Sequence, residues 1–445
     1  MDSSTKYENV SPEESANFFS RLFFCWVLPF FKIGYQKDLK VRDIYNATKS
    51  DLSGPLGDTL ERNWNEEILR TKKNQKSPSL KRVIGKTFAK SYMFYGVFLF
   101  FSCLFVKMSQ PVVLGYYIKY FDIGLEATPI QGWLLGAGVI ALPFISSLIF
   151  HNVNVQSARI GMRVRIACCS LMYRKLLKLN HISLGKTAAG QLVNLMSNDV
   201  LRFDLASPWL HYIWIMPIQT IAGFYVMYSY IGLASIPTMS AMLLNAVLGQ
   251  GYLSKLQGKY RHKIAQLTDK RVKLMSEITL GIQVIKMYAW EKPFEMLVEF
   301  ARRKEVNMIT RTSYIKGFSS ALMVFVERAG LYIAVVSFVL LGNRITGEVV
   351  FSMAQLLNTV QAFISIFFPL GLSTYEEAKV SIRRIEEFLL MEENQNMLSK
   401  NNDTEEPNIK KSTDIKLVKV GASWLPDSGT QTIKNVDLEI KPGTF

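Results

Sequence analysis

The sequence predicts an all-α polytopic membrane protein whose helices extend far out of the bilayer and are followed, near the end of the chain, by a short β segment. Three observations predict this fold class. Hydrophobic residues make up 49% of the 445 residues and aromatic residues 12%, which is high for a soluble protein. The apolar residues are grouped in long runs, and Lys and Arg are concentrated between those runs.

Six apolar runs approach the roughly 20 residues that an α-helix needs to cross the hydrocarbon core of a bilayer. We therefore predict six membrane spans within residues 92–390. The spans lie near residues 92–117, 133–150, 209–228, 231–248, 321–341 and 349–372.

The distribution of positive charge predicts on which side of the membrane each connection lies. Segments 159–202 and 255–316 carry eight and fourteen Lys and Arg residues, whereas the three connections on the other side carry only Arg344. Because basic loops stay in the cytoplasm, we expect the two long loops and both termini to be cytoplasmic. The same pattern explains the net charge of +16 as contact with an anionic membrane surface, so no nucleic-acid partner is predicted.

The four cysteines are Cys25, Cys103, Cys168 and Cys169. They show neither a disulfide framework nor the paired spacing of metal ligands. We therefore predict no metal site, and the sequence indicates no catalytic residue.

Residues 1–78 are predicted to be a cytoplasmic N-terminal region without a signal peptide, because a basic n-region and a small-residue cleavage site are both missing. Within this region, an apolar segment at about residues 16–40 contains Pro29 and carries Arg21 and Lys32. The segment is short and interrupted, so we expect it to lie at the membrane interface. The alternative is a seventh span, which would invert the charge pattern unless the N-terminus lay outside.

Residues 79–91 are predicted to form an amphipathic helix along the membrane surface, an elbow that leads into the first span. Its less polar residues recur at helical spacing, with lysine and arginine on the opposite face. These residues are Leu80, Val83, Ile84, Thr87 and Phe88.

Polar side chains inside the predicted spans are the candidates for a substrate site. Lys107 lies well inside the first span, where a cation is costly and usually faces a cavity. We expect Lys107 to line a water-filled or ligand-lined cavity and to attract anions; the alternative is that its long stem reaches the interface. The other candidates are Gln110 in the first span, His211 and Trp214 in the third, and Gln355, Asn358 and Gln361 on one face of the sixth. For these residues, hydrogen bonding between helices is the common alternative.

Residues 278–294, between the fourth and fifth predicted spans, combine large apolar side chains with charges. Lys286, Tyr288, Trp290 and Glu291 lie close together in this segment. Such a mixture suits docking onto another protein surface. The alternative is an ordinary amphipathic helix that packs on its own neighbours.

The tripeptide Gly185, Lys186 and Thr187 resembles the end of a phosphate-binding loop. The first glycine of that motif is replaced by Asn180, and the preceding residues have the pattern of a helix instead of the buried strand that presents such a loop. We therefore predict no nucleotide site at this position.

A polar linker over residues 391–413 separates the membrane region from residues 414–445. In the latter segment, apolar and polar residues alternate in two runs around a loop that contains Trp424, which predicts two β-strands. Two strands are too few for an independent domain. We expect the chain to be truncated or the rest of this domain to be supplied elsewhere.

Four segments together resemble ATP-binding-cassette exporters of subfamily C, the multidrug resistance-associated proteins. The resemblance implies a lasso at about residues 16–40, a type-1 transmembrane domain over residues 92–390, and the start of a first nucleotide-binding domain at residues 414–445. The segments are SRLFFCWVLPFFKIGYQKDL (20–39), KTAAGQLVNLMSNDVLRFD (186–204), GIQVIKMYAWEKPF (281–294) and VSIRRIEEFLL (380–390).

The resemblance also implies roles for individual residues. Trp424 would stack on the adenine of ATP, and the cofactors of the full-length protein would be ATP and Mg²⁺. Gln361 departs from the pattern, since relatives can have a basic residue there, and this departure weakens the expected preference for anions. The residues of the two coupling loops would be Gly185, Lys186, Thr187, Lys286, Tyr288, Trp290 and Glu291.

By the same resemblance, the expected function is that of the transmembrane half of an ATP-driven efflux transporter, which exports amphipathic organic anions or xenobiotics by alternating access. The expected location is the plasma membrane. The implied partners are membrane lipid, a second transmembrane half, two nucleotide-binding domains and small amphipathic anions. The chain ends at Phe445, before the glycine-rich loop that holds ATP phosphates, so we do not expect this chain alone to hydrolyse ATP or to pump. The alternatives are a truncated, non-pumping isoform or fragment that acts as a binding partner, and a gated anion channel of the same subfamily.

Overall fold

The computed structural model describes residues 9–121, 128–179, 189–393, 415–422 and 433–440. The chain divides into two compact units, Met1–Met391 and Glu392–Phe445. Helices dominate the first unit, and two β-strands form the described part of the second. The predicted fold class is therefore confirmed.

The first unit begins with helices that precede the membrane spans. The segment predicted to lie at the interface is divided among short helices, of which the longest has 9 residues, so no single helix in it is long enough to cross a bilayer. Several of its aromatic rings face outward; Phe18 and Phe31 are 72% and 65% exposed. These helices are α1 Pro12–Ser15, α2 Phe18–Leu22 and α3 Leu28–Gln36, followed by α4 Ser53–Lys73.

The membrane spans are among the helices that follow α4. The two longest, α7 (Pro129–Lys178) and α14 (Glu291–Leu340), have 50 residues each. This corresponds to a length of about 75 Å at roughly 1.5 Å per residue. Both therefore extend well outside a hydrocarbon core of about 30 Å. These helices are α5 Leu80–Phe101, α6 Lys107–Lys119, α7 Pro129–Lys178, α8 Ala189–Asn194, α9 Leu201–Ala206, α10 His211–Ile231, α11 Ser235–Leu244, α12 Gly251–Leu280, α13 Ile282–Met287, α14 Glu291–Leu340, α15 Gly347–Ala362 and α16 Phe368–Leu389.

Five helical stretches in the described part of the chain are long and apolar enough to cross a membrane. One of them contains the third predicted span and most of the fourth. A short turn at Gly232–Ala234 separates α10 from α11 inside this stretch, and Gly232 has a φ of +55°, which glycine adopts without steric cost. The stretches are Leu80–Lys119, Pro129–Lys178, Leu192–Leu244, Glu291–Leu340 and Gly347–Leu389.

The structure differs from the sequence prediction at residues 79–91. Residues 80–91 are not a separate helix but the first part of α5, which continues without a break to Phe101. The physical reason lies in the apolar face of this stretch, because Leu80 and Val83 are buried in a protein cluster with α4 and α7. The amphipathic pattern therefore reflects packing against the protein. The orientation of residues 80–91 along the membrane surface stays a prediction.

Three clusters of buried side chains hold the first unit together. The largest joins α4, α5, α7 and α16 and includes Met172 and Phe388. A second joins α10, α11 and α15 and includes Met227 and Leu356. The third includes Phe363 and lies between α5, α7, α10 and the segment after α15.

Several junctions between consecutive helices have π-helical hydrogen bonding. A π turn inserts extra residues into a helix and so changes the face on which the following side chains lie. The first junction ends immediately before Lys107, and the last contains Phe363 and Phe367. The junctions are Ser102–Val106, Leu195–Asp199, Asn245–Gln250 and Phe363–Phe367.

Helices α12 and α14 pack side by side and are joined by a polar cluster around Glu305. The Glu305 carboxylate accepts hydrogen bonds from Thr268 Oγ1 at 2.6 Å, Arg271 Nε at 2.7 Å and Arg302 Nη1 at 2.8 Å. Only 3% of Glu305 is exposed. The three hydrogen bonds lower the pKa of Glu305 to about 2, so the carboxylate is charged at neutral pH and ties α14 to α12.

We expect Glu305→Gln to loosen the pairing of α12 and α14. The neutral amide lacks the negative charge with which both Arg271 and Arg302 pair. Its NH₂ group is a hydrogen-bond donor and would face the N–H donors of these arginines. Amide hydrogen exchange in α12 and α14 near residue 305 should become about tenfold faster, a change equivalent to about 1.4 kcal/mol. Glu299→Gln is the matched control, because Glu299 pairs with Arg303 on the same helix in a largely exposed contact and should have little effect. Equal exchange in the two variants would contradict the role of the cluster.

The second unit contributes one antiparallel pair of strands to the described structure. Strand β1 Ile415–Ala422 pairs with β2 Ile433–Ile440. Leu417 lies opposite Leu438, and the register shifts between residues 417 and 422. The two strands predicted from alternation are therefore confirmed, and Trp424, in the loop between them, lies outside the described residues.

Candidate functional site

Lys107 lies among three phenyl rings that come from two other helical segments. Its Nζ is 5.1 Å from the ring centroid of Phe363, 5.5 Å from that of Phe150 and 6.0 Å from that of Phe367. These distances are in the range of cation–π contacts. Among the described residues, no carboxylate forms an ion pair with Lys107. The positive charge is therefore surrounded by aromatic faces and remains available to an anion.

The rings around Lys107 belong to a larger aromatic group. Phe367 stacks on Tyr212 with 4.7 Å between ring centroids and on Trp209 with 6.0 Å. It also lies 6.4 Å from Phe150. Offset and edge contacts of this kind hold rings in defined positions. The aromatic group therefore provides a fixed apolar wall next to a single cation, an arrangement that can accommodate a molecule with one apolar and one anionic part.

Sequence reasoning identified Lys107 but missed Phe150, Phe363 and Phe367. Phenylalanines are abundant in all membrane spans, so nothing in the composition distinguishes these three. One signal was present in the spacing, since Phe363 and Phe367 are four residues apart and lie on one face of a regular helix. No comparable signal connects Phe150 of α7 to Lys107.

His211 does not join Lys107 in the structure. Its imidazole is fully buried and stacks on Tyr92 with 3.8 Å between ring centroids. Gly96 provides the space, because a Cβ at that position would lie 2.6 Å from His211 Cε1. Gly96 precedes Lys107 by 11 residues, a rise of about 16 Å along a helix. His211 therefore packs α10 against the second half of α5.

Trp214 and Gln110 lie elsewhere on the helices that surround Lys107. Trp214 stacks on Phe100 with 5.7 Å between ring centroids and is partly buried at the edge of the third cluster. Gln110 is partly buried on α6, one helical turn after Lys107. No hydrogen bond or ring contact joins either side chain to Lys107 among the described residues, so their assignment to a substrate site stays a prediction.

The polar face of the sixth predicted span is turned partly toward α14. Asn358 donates a hydrogen bond of 3.2 Å to Glu327, and Gln361 donates to the carbonyl oxygen of Met323. These are the interhelical hydrogen bonds that sequence reasoning gave as the alternative. Gln355 is partly buried, and its place in a substrate site stays a prediction.

The segment predicted to dock onto another protein forms helix α13 and the turn that follows it. Tyr288 and Trp290 stack with 5.0 Å between ring centroids, and both are exposed. Lys286 Nζ lies 2.9 Å from Glu291 Oε1 across the turn. Ala289 between the two rings has a φ of +54°, a left-handed conformation that is uncommon for residues other than glycine. The turn therefore presents two stacked rings and an ion pair at the protein surface.

Other predicted site residues lie outside the described part of the chain. They are Gly185, Lys186 and Thr187 of the first coupling loop and Trp424 of the nucleotide site. In the described part of the second unit, β2 is exposed at every position and presents no loop of backbone amides suited to phosphate. These strand residues do not fit a nucleotide, and we assign none of them a contact with ATP or Mg²⁺.

Comparison with known proteins is consistent with this architecture. Residues 93–368 match the family model of the ABC transporter transmembrane region. ATP-binding cassette sub-family C member 4 of Homo sapiens is 35% identical over 446 aligned residues, which cover 98% of this chain and 33% of the human protein. The Mus musculus protein of the same name is 36% identical over 390 residues, which cover 86% of this chain and 29% of the mouse protein.

A more distant relative gives the same result. The probable multidrug resistance-associated protein lethal(2)03659 of Drosophila melanogaster is 33% identical over 447 residues, covering 98% of this chain and 32% of the fly protein. The chain thus spans about a third of the length of these relatives. The resemblance to subfamily C exporters is confirmed, and the apolar helices indicate an integral membrane protein. The family match over residues 93–368 shows that this chain belongs to the ABC transporters, as a transmembrane region of that family.

Proposed function

We propose that this chain forms one transmembrane half of an ATP-driven efflux transporter that exports amphipathic organic anions by alternating access. The observation that carries the proposal is Lys107, a cation inside a membrane span that lies among three phenyl rings and forms no ion pair with any carboxylate in the described part of the chain. A lone cation in a medium of low polarity attracts anions more strongly than it would in water. The rings favour an apolar body next to the anionic group.

The rings also bear on how the site could change during transport. Phe363 and Phe367 lie in a π-helical junction, and Lys107 follows another one. π turns often mark functional positions in helices. We place the change in access at these two junctions, because a shift there would move Lys107 relative to the aromatic wall.

The exposed turn after α13 is the proposed contact with a nucleotide-binding domain. Tyr288 and Trp290 offer a rigid apolar surface, and the pair Lys286 and Glu291 offers charge at its edge. Aromatic residues surrounded by polar groups are typical of interface centres. Because α12 and α14 are joined at Glu305, a displacement of this turn by a bound domain would be transmitted along both helices toward the membrane.

The remaining parts of the proposal rest on the family. A second transmembrane half and two nucleotide-binding domains would complete the transporter, with Gly185, Lys186 and Thr187 in the other coupling loop. ATP and Mg²⁺ would be bound by the complete nucleotide-binding domains and would supply the energy for the cycle. We place the protein in the plasma membrane on the basis of the family, and both termini in the cytoplasm on the basis of the charge distribution.

The proposal is tested by Lys107→Ala in the full-length transporter. Uptake of an anionic glutathione conjugate into inside-out vesicles should fall about tenfold, the loss expected when about 1.4 kcal/mol of charge interaction is removed. Uptake of a neutral compound of similar size should change little, and Lys107→Arg should preserve anion transport, because it keeps the charge and the cation–π contacts. Lys119→Ala, at the exposed end of the same helix α6, is the matched control. An equal loss for anionic and neutral compounds would refute the anion site.

A further inference from the structure

A cavity of about 420 Å³ lies between α5, α7, α9 and α16. Its volume is in the range of small-molecule sites, roughly 300–1,000 Å³. Lys107 and its three phenyl rings are not among the residues that line this cavity. The lining residues of α5 lie between Lys81 and Tyr92, well before Lys107 in the chain. The cavity is therefore separate from the proposed transport site.

The walls of the cavity are almost entirely apolar. The apolar lining includes Ile84 and Phe88 of α5, Val164 of α7, Phe203 of α9 and Ile382 of α16. Empty apolar space between helices is costly, because the residues around it lose their packing contacts. A site of this size and composition favours an apolar occupant over water.

The opening of the cavity lies between α5 and α16. Some lining residues of these two helices are exposed, namely Gly85 and Ala89 on α5 and Lys379 on α16, whereas Val164 and Phe203 on the far side are buried. The α5 residues at the opening of the cavity, Gly85 and Ala89, are small. A Cβ on Gly85 would meet no atom within 4 Å, so the space next to this residue is open.

Positive charges surround the opening. Lys81 on α5 and Lys379 and Arg383 on α16 all line the cavity. The one lining carboxylate, Glu386, already accepts a hydrogen bond of 2.7 Å from the backbone N–H of Leu80 at the first turn of α5. That helix end carries partial positive charge, which compensates the carboxylate.

The partners of these cations leave them available to a ligand. Among the residues that the structure describes, the carboxylates that pair with Lys379 and Arg383 are on the same helix, Glu376 at 3.3 Å and Glu387 at 3.1 Å, in contacts that are mostly exposed. Exposed pairs of this kind contribute little and are easily exchanged. Lys81 donates a hydrogen bond of 2.6 Å to the hydroxyl of Tyr375, which holds its ammonium at the opening without neutralising it.

We propose that this cavity binds one acyl chain of an anionic phospholipid, with the lipid headgroup held by Lys81, Lys379 and Arg383. The opening lies at the start of the first span, on the side that the charge distribution predicts to be cytoplasmic, where anionic lipids are enriched. The occupant would bridge α5 and α16 and complete the packing among four helices. The polar linker at residues 391–413 has too few apolar residues to fill the same space.

The site can be tested with the complete chain reconstituted in nanodiscs that contain a phosphatidylserine with a diazirine near the end of its acyl chain. After irradiation, mass spectrometry should find label on peptides of α5, α9 and α16 that line the cavity. Ala89→Trp, which blocks the opening, should reduce this labelling about tenfold, while Ala141→Trp at an exposed position of α7 should not change it.

The headgroup assignment is tested with exposed residues that do not threaten folding. Replacing Lys379 and Arg383 together by Gln should reduce the preference for phosphatidylserine over an equally reactive phosphatidylcholine by up to about 25-fold, since each cation near an anionic lipid contributes about fivefold. Arg383→Lys should retain the preference. The proposal is overturned if cavity peptides stay unlabelled while lipid-facing peptides of α7 are labelled, if Ala89→Trp leaves the labelling unchanged, or if both lipids label equally.

Discussion

Gly161→Ala is expected to destabilise the transmembrane unit by about 2–3 kcal/mol, the upper part of the range for overpacking a tight interior contact. Helices α7 and α9 are in close contact at Gly161. A Cβ there would lie 2.6 Å from the carbonyl oxygen of Phe203 and 3.0 Å from Asp204 Cα, and it would also meet the hydroxyl of Ser207. Two of these atoms belong to the backbone, so the new methyl group can be accommodated only if the helices move apart.

Separation of the two helices would also break the hydrogen bonds that connect them to their neighbours. Ser207 Oγ donates to the carbonyl oxygen of Ser157 at 2.7 Å, and the hydroxyl of Tyr92 donates to the carbonyl oxygen of Ser207 at 2.5 Å. A buried polar group that loses its partner carries the full cost of desolvation. The effect of one methyl group should therefore extend beyond the local clash.

The measurement is the midpoint of thermal unfolding in detergent, followed by the monodisperse fraction on size exclusion. Gly258→Ala is the matched control, since a Cβ at Gly258 on α12 would meet no atom within 4 Å. There the same substitution should be neutral or slightly stabilising, because alanine favours the helix by up to about 1 kcal/mol. If the two variants unfold at the same temperature, the close approach at Gly161 is not important for stability.

Asp51→Ala is expected to release the N-terminal region from α7 at a cost of about 2–3 kcal/mol. One carboxylate oxygen of Asp51 accepts hydrogen bonds from Arg159 Nε at 2.9 Å and Nη2 at 2.7 Å, and the other accepts from Arg163 Nε at 2.6 Å. Removing one partner of a fully buried pair costs about 3–5 kcal/mol. We expect less here, because the two arginines are 18% and 22% exposed and Glu13 also pairs with Arg159.

The pH dependence of this contribution follows from the pKa of Asp51. Burial acts to raise that pKa, but the hydrogen bonds from Arg159, Thr48 and Arg163 outweigh burial and lower it from 3.8 to about 2. A carboxylate with a lowered pKa stabilises the folded state above its ordinary pKa and loses that effect as the pH falls toward the folded value. The difference between the wild type and Asp51→Ala should thus be constant from about pH 5 to about pH 8 and disappear between about pH 4 and about pH 2.

Glu66→Ala provides the comparison for Asp51→Ala. Glu66 on α4 also forms an ion pair, with Lys86 at 2.6 Å, but both side chains are more than half exposed. Such surface pairs contribute little to stability. Limited proteolysis of the first 50 residues should therefore accelerate in Asp51→Ala and remain at the wild-type rate in Glu66→Ala. Protection of this region in both variants would show that other contacts hold it.

Much of the architecture could be predicted because membrane spans obey a simple rule. A helix that crosses lipid must bury its backbone polar groups in its own hydrogen bonds and cover them with apolar side chains, so its residues form a long apolar run. The sequence prediction separated the third and fourth spans at residues 229–230, and the structure has the break slightly later, at Gly232–Ala234. The same logic failed at residues 79–91, where an apolar helical face indicates burial but does not tell whether lipid or protein covers it.

The candidate site was only partly predictable for a related reason. A charge inside an apolar run is conspicuous, and Lys107 was identified on that basis alone. Its neighbours Phe150 and Phe363 are distant in sequence and are of a residue type that is common in membrane spans. Which side chains face Lys107 depends on π-helical junctions, and these leave no clear sequence pattern. His211 was an equally conspicuous polar residue, yet the space at Gly96 directs it toward Tyr92.

By itself, the sequence determined that this protein is a set of membrane-crossing helices with long polar extensions and the first strands of a second unit, because hydrophobic periodicity and charge distribution are local properties. Only the tertiary structure decided which polar residues act in helix packing, as Gln361 and Glu305 do, and which cation remains available, as Lys107 does. The physical reason is that the role of a polar side chain in a membrane protein depends on its partners. Those partners come from helices that are brought together only by packing.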